Sequence, residues 1–526
     1  DAESLVGLAL PGSDELAALL RLATLARSDG PPRLVVDSAP TGHTLRLLAL
    51  PRLAARWTAA LARLEERPDA VARAFGGTVS GGDDEAHRLV QALRDDVALV
   101  SDRLADPAHT CVVLVTTPEP AVAAETGRYA DALEPLGVAL GALVVNRVRD
   151  DTAGWTPRSV AVPVVHVPEL AHEPRGVPAL RALARTPAPR AEAPAGPSVG
   201  TAGRLRVGEP WAPPLDRRLC LVVGKGGVGK STVASGLALR LAEAREGRVL
   251  LLGVDPAGSL GDVWGAAVEG EPVAAPGAPG VVLRQLQAEV AWSALRERYR
   301  DGAGRLVGAI TGGDAASRAD RGLAAQLVEL APPGLDELAA LLELVDLPTS
   351  GSYTAVVLDT APTGHLLRLL ELPALALDWS HLVLRLLLRY REVVGLGELA
   401  ERVLGFARDV RRLEATLRDR TATLVLVVAR PEALGVPETG RLLARLAELG
   451  MAADVLLVNQ LTAGEPPGIA SPDAAGLAAE LLALPHAPAA VAAPLLDAGP
   501  HGADALRRFA RSWRRLTLHP EPPATS

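Results

Sequence analysis

Uninterrupted aliphatic runs alternate along this chain with stretches in which apolar residues recur every three or four positions. The runs Leu219–Val223, Val249–Val254, Ala355–Leu358, Leu424–Val428 and Val455–Val458 contain no charged side chain. That is the pattern of strands buried on both faces, not of strands with one wet face. Segments such as Glu337–Val345 and Arg441–Leu449 carry the helical period between them. Strands alternating with helices in this way predict a parallel, doubly wound α/β sheet.

The same pattern occurs twice. Val35-Val-Asp37-Ser-Ala-Pro-Thr-Gly42-His43 is matched by Val357-Leu-Asp359-Thr-Ala-Pro-Thr-Gly364-His365, at a constant spacing of 322. The register runs without a gap from Leu5-Val6 against Leu327-Val328 to Trp57 against Trp379. A second block pairs Thr117-Pro-Glu119, Glu125-Thr-Gly-Arg128 and Asn146 with Arg430-Pro-Glu432, Glu438-Thr-Gly-Arg441 and Asn459, at a spacing of 313. Self-similarity at this distance indicates duplicated structural units. Between the copies, residues 186–214 are rich in Pro, Ala and Gly, which predicts an extended, weakly structured linker. The expected division is therefore 1–185, a linker at 186–214, and 215–526.

Chemistry concentrates in the second copy. Gly224-Lys225-Gly226-Gly227-Val228-Gly229-Lys230-Ser231-Thr232 follows the strand Leu219–Val223 and opens a predicted helix, Thr232–Glu243, the setting a phosphate-binding P-loop requires. The glycines let successive N–H groups turn toward phosphates, and the helix N-terminus adds positive potential. Lys230 is placed to reach the β- and γ-phosphates of ATP, and the Ser231 hydroxyl to hold Mg²⁺. Lys225 and Lys230 are the only two lysines of the chain. A composition that has otherwise replaced lysine by arginine retains it where a compact ammonium is needed.

Asp255, after the strand Val249–Val254, is expected at the carboxyl edge of the sheet, positioned to orient or deprotonate the attacking water. Asp359 ends another strand and is a candidate Mg²⁺ ligand through water, with the loop from Thr360 through Gly364 to His365 sensing the γ-phosphate. Asn459 closes a late strand, where its amide is a candidate reader of the adenine edge. Residues 217–326, which hold the glycine-rich loop, have no counterpart in the first copy. The expected architecture is thus two tandem doubly wound P-loop NTPase halves, the first lacking its P-loop portion.

The blocks Gly224–Thr232, Val254–Asp262, Leu358–Leu370, Pro431–Thr439 and Leu457–Gln460 resemble the ArsA family, the arsenite-pump ATPases and the related ATPase that delivers tail-anchored membrane proteins. Asp-Thr-Ala-Pro-Thr-Gly-His separates this family from other ATPases that share the lysine-rich loop. The resemblance implies Mg²⁺-dependent ATP hydrolysis, with nucleotide held between two halves that open and close around a cargo or partner. It makes Lys225 the deviant Walker A lysine that contacts phosphate across an interface, Asp255 the switch I carboxylate, Asp359–Gly364 switch II and Asn459 an adenine contact. A face-to-face pair is expected, either a pseudo-dimer of the two halves or a homodimer. A membrane-protein partner or an apolar client is the implied cargo. The first copy keeps Asp37, Gly42, His43 and Asn146, so its switch II and adenine elements have counterparts.

Composition narrows the functions the resemblance allows. A net charge of −8 with both signs interspersed offers no basic field for nucleic acid. The two cysteines, Cys111 and Cys220, sit in apolar runs and are expected to be small buried hydrophobes. They cannot form the thiol cluster that metalloid binding needs, so the arsenite or antimonite pump-driving role is the weaker alternative. There is no Cys-x-x-Cys pair, and zinc is not expected. Free thiols and no apolar stretch long enough to span a bilayer place the protein in the cytoplasm. One methionine, Met451, argues against a methionine-rich client groove; the apolar run Leu382–Leu388 reads more simply as core. Gly258-Ser259 stand where the family usually has His-Asn, which allows a slow-hydrolysis binding switch as a further alternative. The opening residues Asp1-Ala-Glu-Ser are no start methionine or signal, and the chain is expected to begin within a longer one.

Overall fold

The computed structural model describes residues 13–27, 33–37, 83–149, 162–170, 176–185, 204–254, 259–286, 351–360, 397–461, 472–496 and 499–519, with isolated positions between them. Its larger sheet has ten strands in the order β4-β13-β12-β11-β10-β5-β9-β6-β8-β7. In chain order these are β4 (Arg204–Pro210), β5 (Leu219–Gly224), β6 (Val249–Gly253), β7 (Val273–Ala275), β8 (Ala278–Gln285), β9 (Ala355–Asp359), β10 (Thr423–Ala429), β11 (Val455–Leu461), β12 (Ala489–Pro494) and β13 (Arg514–His519). Every neighbouring pair from β12 through β8 is parallel, and antiparallel strands finish both margins.

The aliphatic runs form the middle of this sheet because both of its faces are covered. Along β5 the period of two sends Leu219, Leu221 and Val223 into one apolar layer and Cys220 and Val222 into the other. All six β5 residues are buried, as are all five of β6 and of β9 and all seven of β10. Against one face lies helix α5 (Lys230–Ala244), with nine of its residues buried. Helix α10 (Gly502–Arg511) packs beside it through Leu506, Phe509 and Ala510.

A three-stranded parallel sheet precedes this one, in the order β1-β2-β3, formed by β1 (Val112–Thr116), β2 (Leu140–Val148) and β3 (Val164–Pro168). The repeat in the sequence recurs here as local geometry. Helix α3 (Pro120–Leu133) between β1 and β2 corresponds to α8 (Gly435–Glu448) between β10 and β11. Thr126 Oγ1 donates to Val122 O at 2.7 Å, and Thr439 Oγ1 donates to Gly435 O at 2.8 Å. Arg147 and Gln460, each one residue past the repeated asparagine, have φ of 57° and 59°. In both places the asparagine Oδ1 accepts the following backbone N–H at 2.9 Å, which satisfies a left-handed residue that is not glycine.

Three expectations are corrected. Residues 204–210, within the predicted linker, are a sheet strand: Leu205 and Val207 pack on the core, and the following Trp211 is buried with its ring 5.9 Å from that of Trp513. Cys111 is exposed just before β1, whereas Cys220 is buried as expected. Residues 33–37 lie outside any strand, with Val35 at 92% exposure where its counterpart Val357 is at 0%. Val357 is buried because β9 lies between β5 and β6; among the described residues, 33–37 have no such neighbours. No helix among the described residues is long and apolar enough to cross a membrane.

Candidate phosphate-binding site

The loop between β5 and α5 sits at the carboxyl ends of the parallel strands, where open α/β sheets bind ligands. Its glycines are required one by one. Gly224 faces Val428 on β10, and a Cβ there would stand 2.3 Å from Val428 O. Gly229 has φ of 92°, and a Cβ on it would stand 2.5 Å from Asn459 Nδ2. Gly227, at φ of 77°, has open space where its side chain would be. Gly224→Ala therefore meets the Val428 backbone, which cannot yield, and the Val228 side chain at 3.2 Å. We expect it to lower stability by about 1–3 kcal/mol, read as a fall in the thermal midpoint of several degrees.

Lys230 opens α5 and is only 7% exposed; its Nζ donates to Lys225 O at 3.1 Å, folding the ammonium back over the loop. Ser231 and Thr232 follow in the same first turn. Asp359 ends β9, in register with Val222 of β5 on one side and Gly253 of β6 on the other. It is 1% exposed, and the next residue is pinned by Thr360 Oγ1 donating to Val222 O at 2.8 Å. The structure thus brings Gly224, Lys225, Gly226, Gly227, Gly229, Lys230, Ser231, Thr232 and Asp359 to one edge of the sheet. Asp255 and Gly364 lie outside the described residues. A glycine cradle, a buried ammonium and a buried carboxylate on the adjacent strand suit a phosphate chain with its Mg²⁺.

Asn459 is 4% exposed, and its Nδ2 donates to Val228 O within the loop at 2.8 Å while its Oδ1 accepts from Gln460. It braces the phosphate loop from β11, a role the sequence did not disclose. Lys225 Nζ lies 3.0 Å from Glu438 Oε2 at the start of α8. Glu438 had shown itself only as a member of the repeated Glu-Thr-Gly-Arg block.

A short helix, α6 (Ser259–Trp264), links this edge to the smaller sheet. Trp264 Nε1 donates to Ser235 Oγ of α5 at 3.0 Å, and Leu260 is fully buried beneath it. From its outer side Asp262 accepts both arms of Arg128, at 2.8 and 3.3 Å. This hydrogen bond raises the Arg128 pKa above its usual value. Arg147 reaches Glu432 at 3.3 Å, and Glu432 also pairs with Arg430 at 3.1 Å. Burial pulls the Arg430 pKa down, opposed by Glu432. Residues from both copies of the repeat thus meet beside the phosphate loop.

Comparison with known proteins agrees with this geometry. The family described as anion-transporting ATPase matches over residues 4–155 and 217–468, on both copies of the repeat. The chain is 28% identical to ATPase ARSA1 of Chlamydomonas reinhardtii over 494 residues, 86% of this chain and 62% of that protein. It is 30% identical over 257 residues to ATPase GET3 of Malassezia globosa, covering 47% of this chain and 72% of that one. It is also 30% identical over 260 residues to ATPase asna-1 of Caenorhabditis elegans, covering 46% and 73%. The chain therefore spans less than two thirds of the length of the Chlamydomonas protein. With the family matched on both segments, and with its phosphate loop formed at the sheet edge, this chain belongs to the anion-transporting ATPase, or ArsA, family.

Proposed function

We propose that this chain binds and hydrolyses ATP at the loop Gly224–Thr232, in tandem P-loop halves of which the first lacks its phosphate loop. The observation that carries the reading is a buried Lys230 at the start of α5 and a buried Asp359 at the end of β9, the strand next to β5, beside a loop in which Gly224 and Gly229 leave no room for a side chain. Lys230 holds the β- and γ-phosphates, and Ser231 and Asp359 hold Mg²⁺, which offsets the charge that develops on the transferred phosphoryl group. Asp255 orients water, Gly364 belongs to the γ-phosphate sensor, and Asn459 fixes the loop next to the adenine side.

The two halves act as a face-to-face pair within one chain. Arg128 on Asp262 and Arg147 on Glu432 support that reading, and Arg128 connects the first half to the helix that follows switch I. The cations that the described part of the first half offers to the second are arginines, Arg128 and Arg147. Opening and closing of this pair would drive cargo or partner handling in the cytoplasm.

A metalloid role fits poorly. Cys111 is exposed while Cys220 is buried in β5, where desolvation pushes its thiol up to about 12. Burial thus disfavours the thiolate, the form that reacts and binds metals. Titration of the folded protein with a disulfide reagent should count one fast thiol, the second appearing only on unfolding. Steady-state hydrolysis by the purified chain should require Mg²⁺ and be indifferent to antimonite. Tight ATP binding without turnover would instead favour a slow-hydrolysis switch, and antimonite stimulation would restore the pump-driving reading.

A further inference from the structure

Lys225 is held by its own chain. Its Nζ approaches Glu438 Oε2 at 3.0 Å, with 36% of each side chain exposed. The carboxylate comes from a fixed platform, because α8 buries Val436, Leu442, Leu443 and Leu446 in the core, and Thr439 ties back to Gly435. As the only acidic residue in the first turn of α8, Glu438 is also favoured by the partial positive charge of the helix N-terminus. The Lys225 main chain is engaged as well, since its carbonyl accepts the Lys230 ammonium. One residue thus couples the two lysines of the loop, with its side chain tied to a helix on the far side of β10.

We propose that Glu438 is a positioning residue that competes with phosphate for Lys225. The inference rests on the reading of this loop as an ATP site. An ammonium cannot hold the carboxylate in this geometry and also turn fully to a phosphate chain, so engagement of Lys225 with nucleotide breaks the Glu438 contact. Glu438 therefore sets how readily Lys225 is released, whether the lysine serves its own loop or the site of a second copy. The competition is modest, since both partners are partly solvated and a half-exposed ion pair shifts an equilibrium by about two- to fivefold.

The test is a double-mutant cycle read by the affinity for a fluorescent N-methylanthraniloyl derivative of ATP with Mg²⁺, in the full chain. Glu438→Gln is expected to tighten binding by about two- to fivefold, and the gain should shrink at about 1 M salt, where partly exposed charges are screened. In the Lys225→Ala background the same substitution should have no effect, because the group it releases is gone. Equal changes in both backgrounds would show that Glu438 acts through the structure of α8 and overturn the proposal. No change, or weaker binding, in the Lys225 background would overturn it too. Lys230→Ala measured alongside separates the two levels of inference. If that variant binds the analogue as tightly as the parent protein, the ATP-site reading itself fails.

Discussion

Lys230→Ala is expected to lower Mg²⁺-ATP turnover by about 10²- to 10³-fold, the scale on which one preorganised electrostatic partner of a developing charge contributes. The ammonium is buried at the first position of α5 and folded over the loop onto Lys225 O. A phosphate chain bound at this loop would therefore meet it in a poorly hydrated site, where its charge counts for more than in water. Little of the fold depends on it. Truncation removes the ammonium's hydrogen bond to the Lys225 carbonyl, a loss of about 1.5–3 kcal/mol for a charged donor, while the aliphatic layers under β5 and α5 stay intact. A coupled hydrolysis assay and a thermal melt on the same preparation check both parts. Turnover within threefold of the parent would remove hydrolysis from this loop, and a collapsed melt would make the loss of activity uninformative.

The central sheet was legible in the sequence because buried parallel strands leave a compositional trace. Leu219–Val223, Ala355–Leu358 and Leu424–Val428 are apolar at every position, since both neighbours in the sheet and both covering layers exclude water. The loop was legible for a related reason: Gly224 and Gly229 answer a neighbour within 3 Å of where a Cβ would stand, and Gly227 answers a left-handed φ. The margin of the sheet was not. Arg204–Pro210 follows Pro-, Ala- and Gly-rich residues, and its apolar face consists of Leu205 and Val207 alone. Its partner strand, Arg514–His519, lies at the other end of the second half, so the pairing that makes it a strand has no local signature beyond that short alternation.

Side-chain partners distant in sequence were hidden in the same way. The repeated Glu-Thr-Gly-Arg blocks were visible, but nothing in them shows that Glu438 faces Lys225 or that Arg128 crosses to Asp262. Cys111 illustrates the converse. Its apolar run suggested burial, yet it stands just outside the strand and is exposed. Hydrophobic neighbours in sequence do not enclose a residue at the end of a strand; that depends on which elements pack over the end.

Asp359→Asn is expected to lower turnover by about 10²-fold or more and to raise the Mg²⁺ concentration needed for half-maximal activity. The substitution keeps the shape of the side chain and removes its charge, so the two effects test the carboxylate itself. Its position follows from strand order. β9 is inserted between β5 and β6, its last residue level with Val222 and Gly253, two positions before the glycine that begins the loop. A carboxylate with 1% exposure is a costly occupant of that place, because an ionised group taken out of water is disfavoured unless it is compensated. A residue retained there only for the fold would lower the thermal midpoint when changed to the neutral amide. A residue retained for a cation should instead leave the midpoint of the ligand-free protein unchanged or raise it, since the desolvation cost has gone. Loss of activity, a higher Mg²⁺ requirement and undiminished stability in one variant would identify Asp359 as the metal-side carboxylate of the site. A fall in stability with Mg²⁺ dependence unaltered would return it to a structural role at the end of β9.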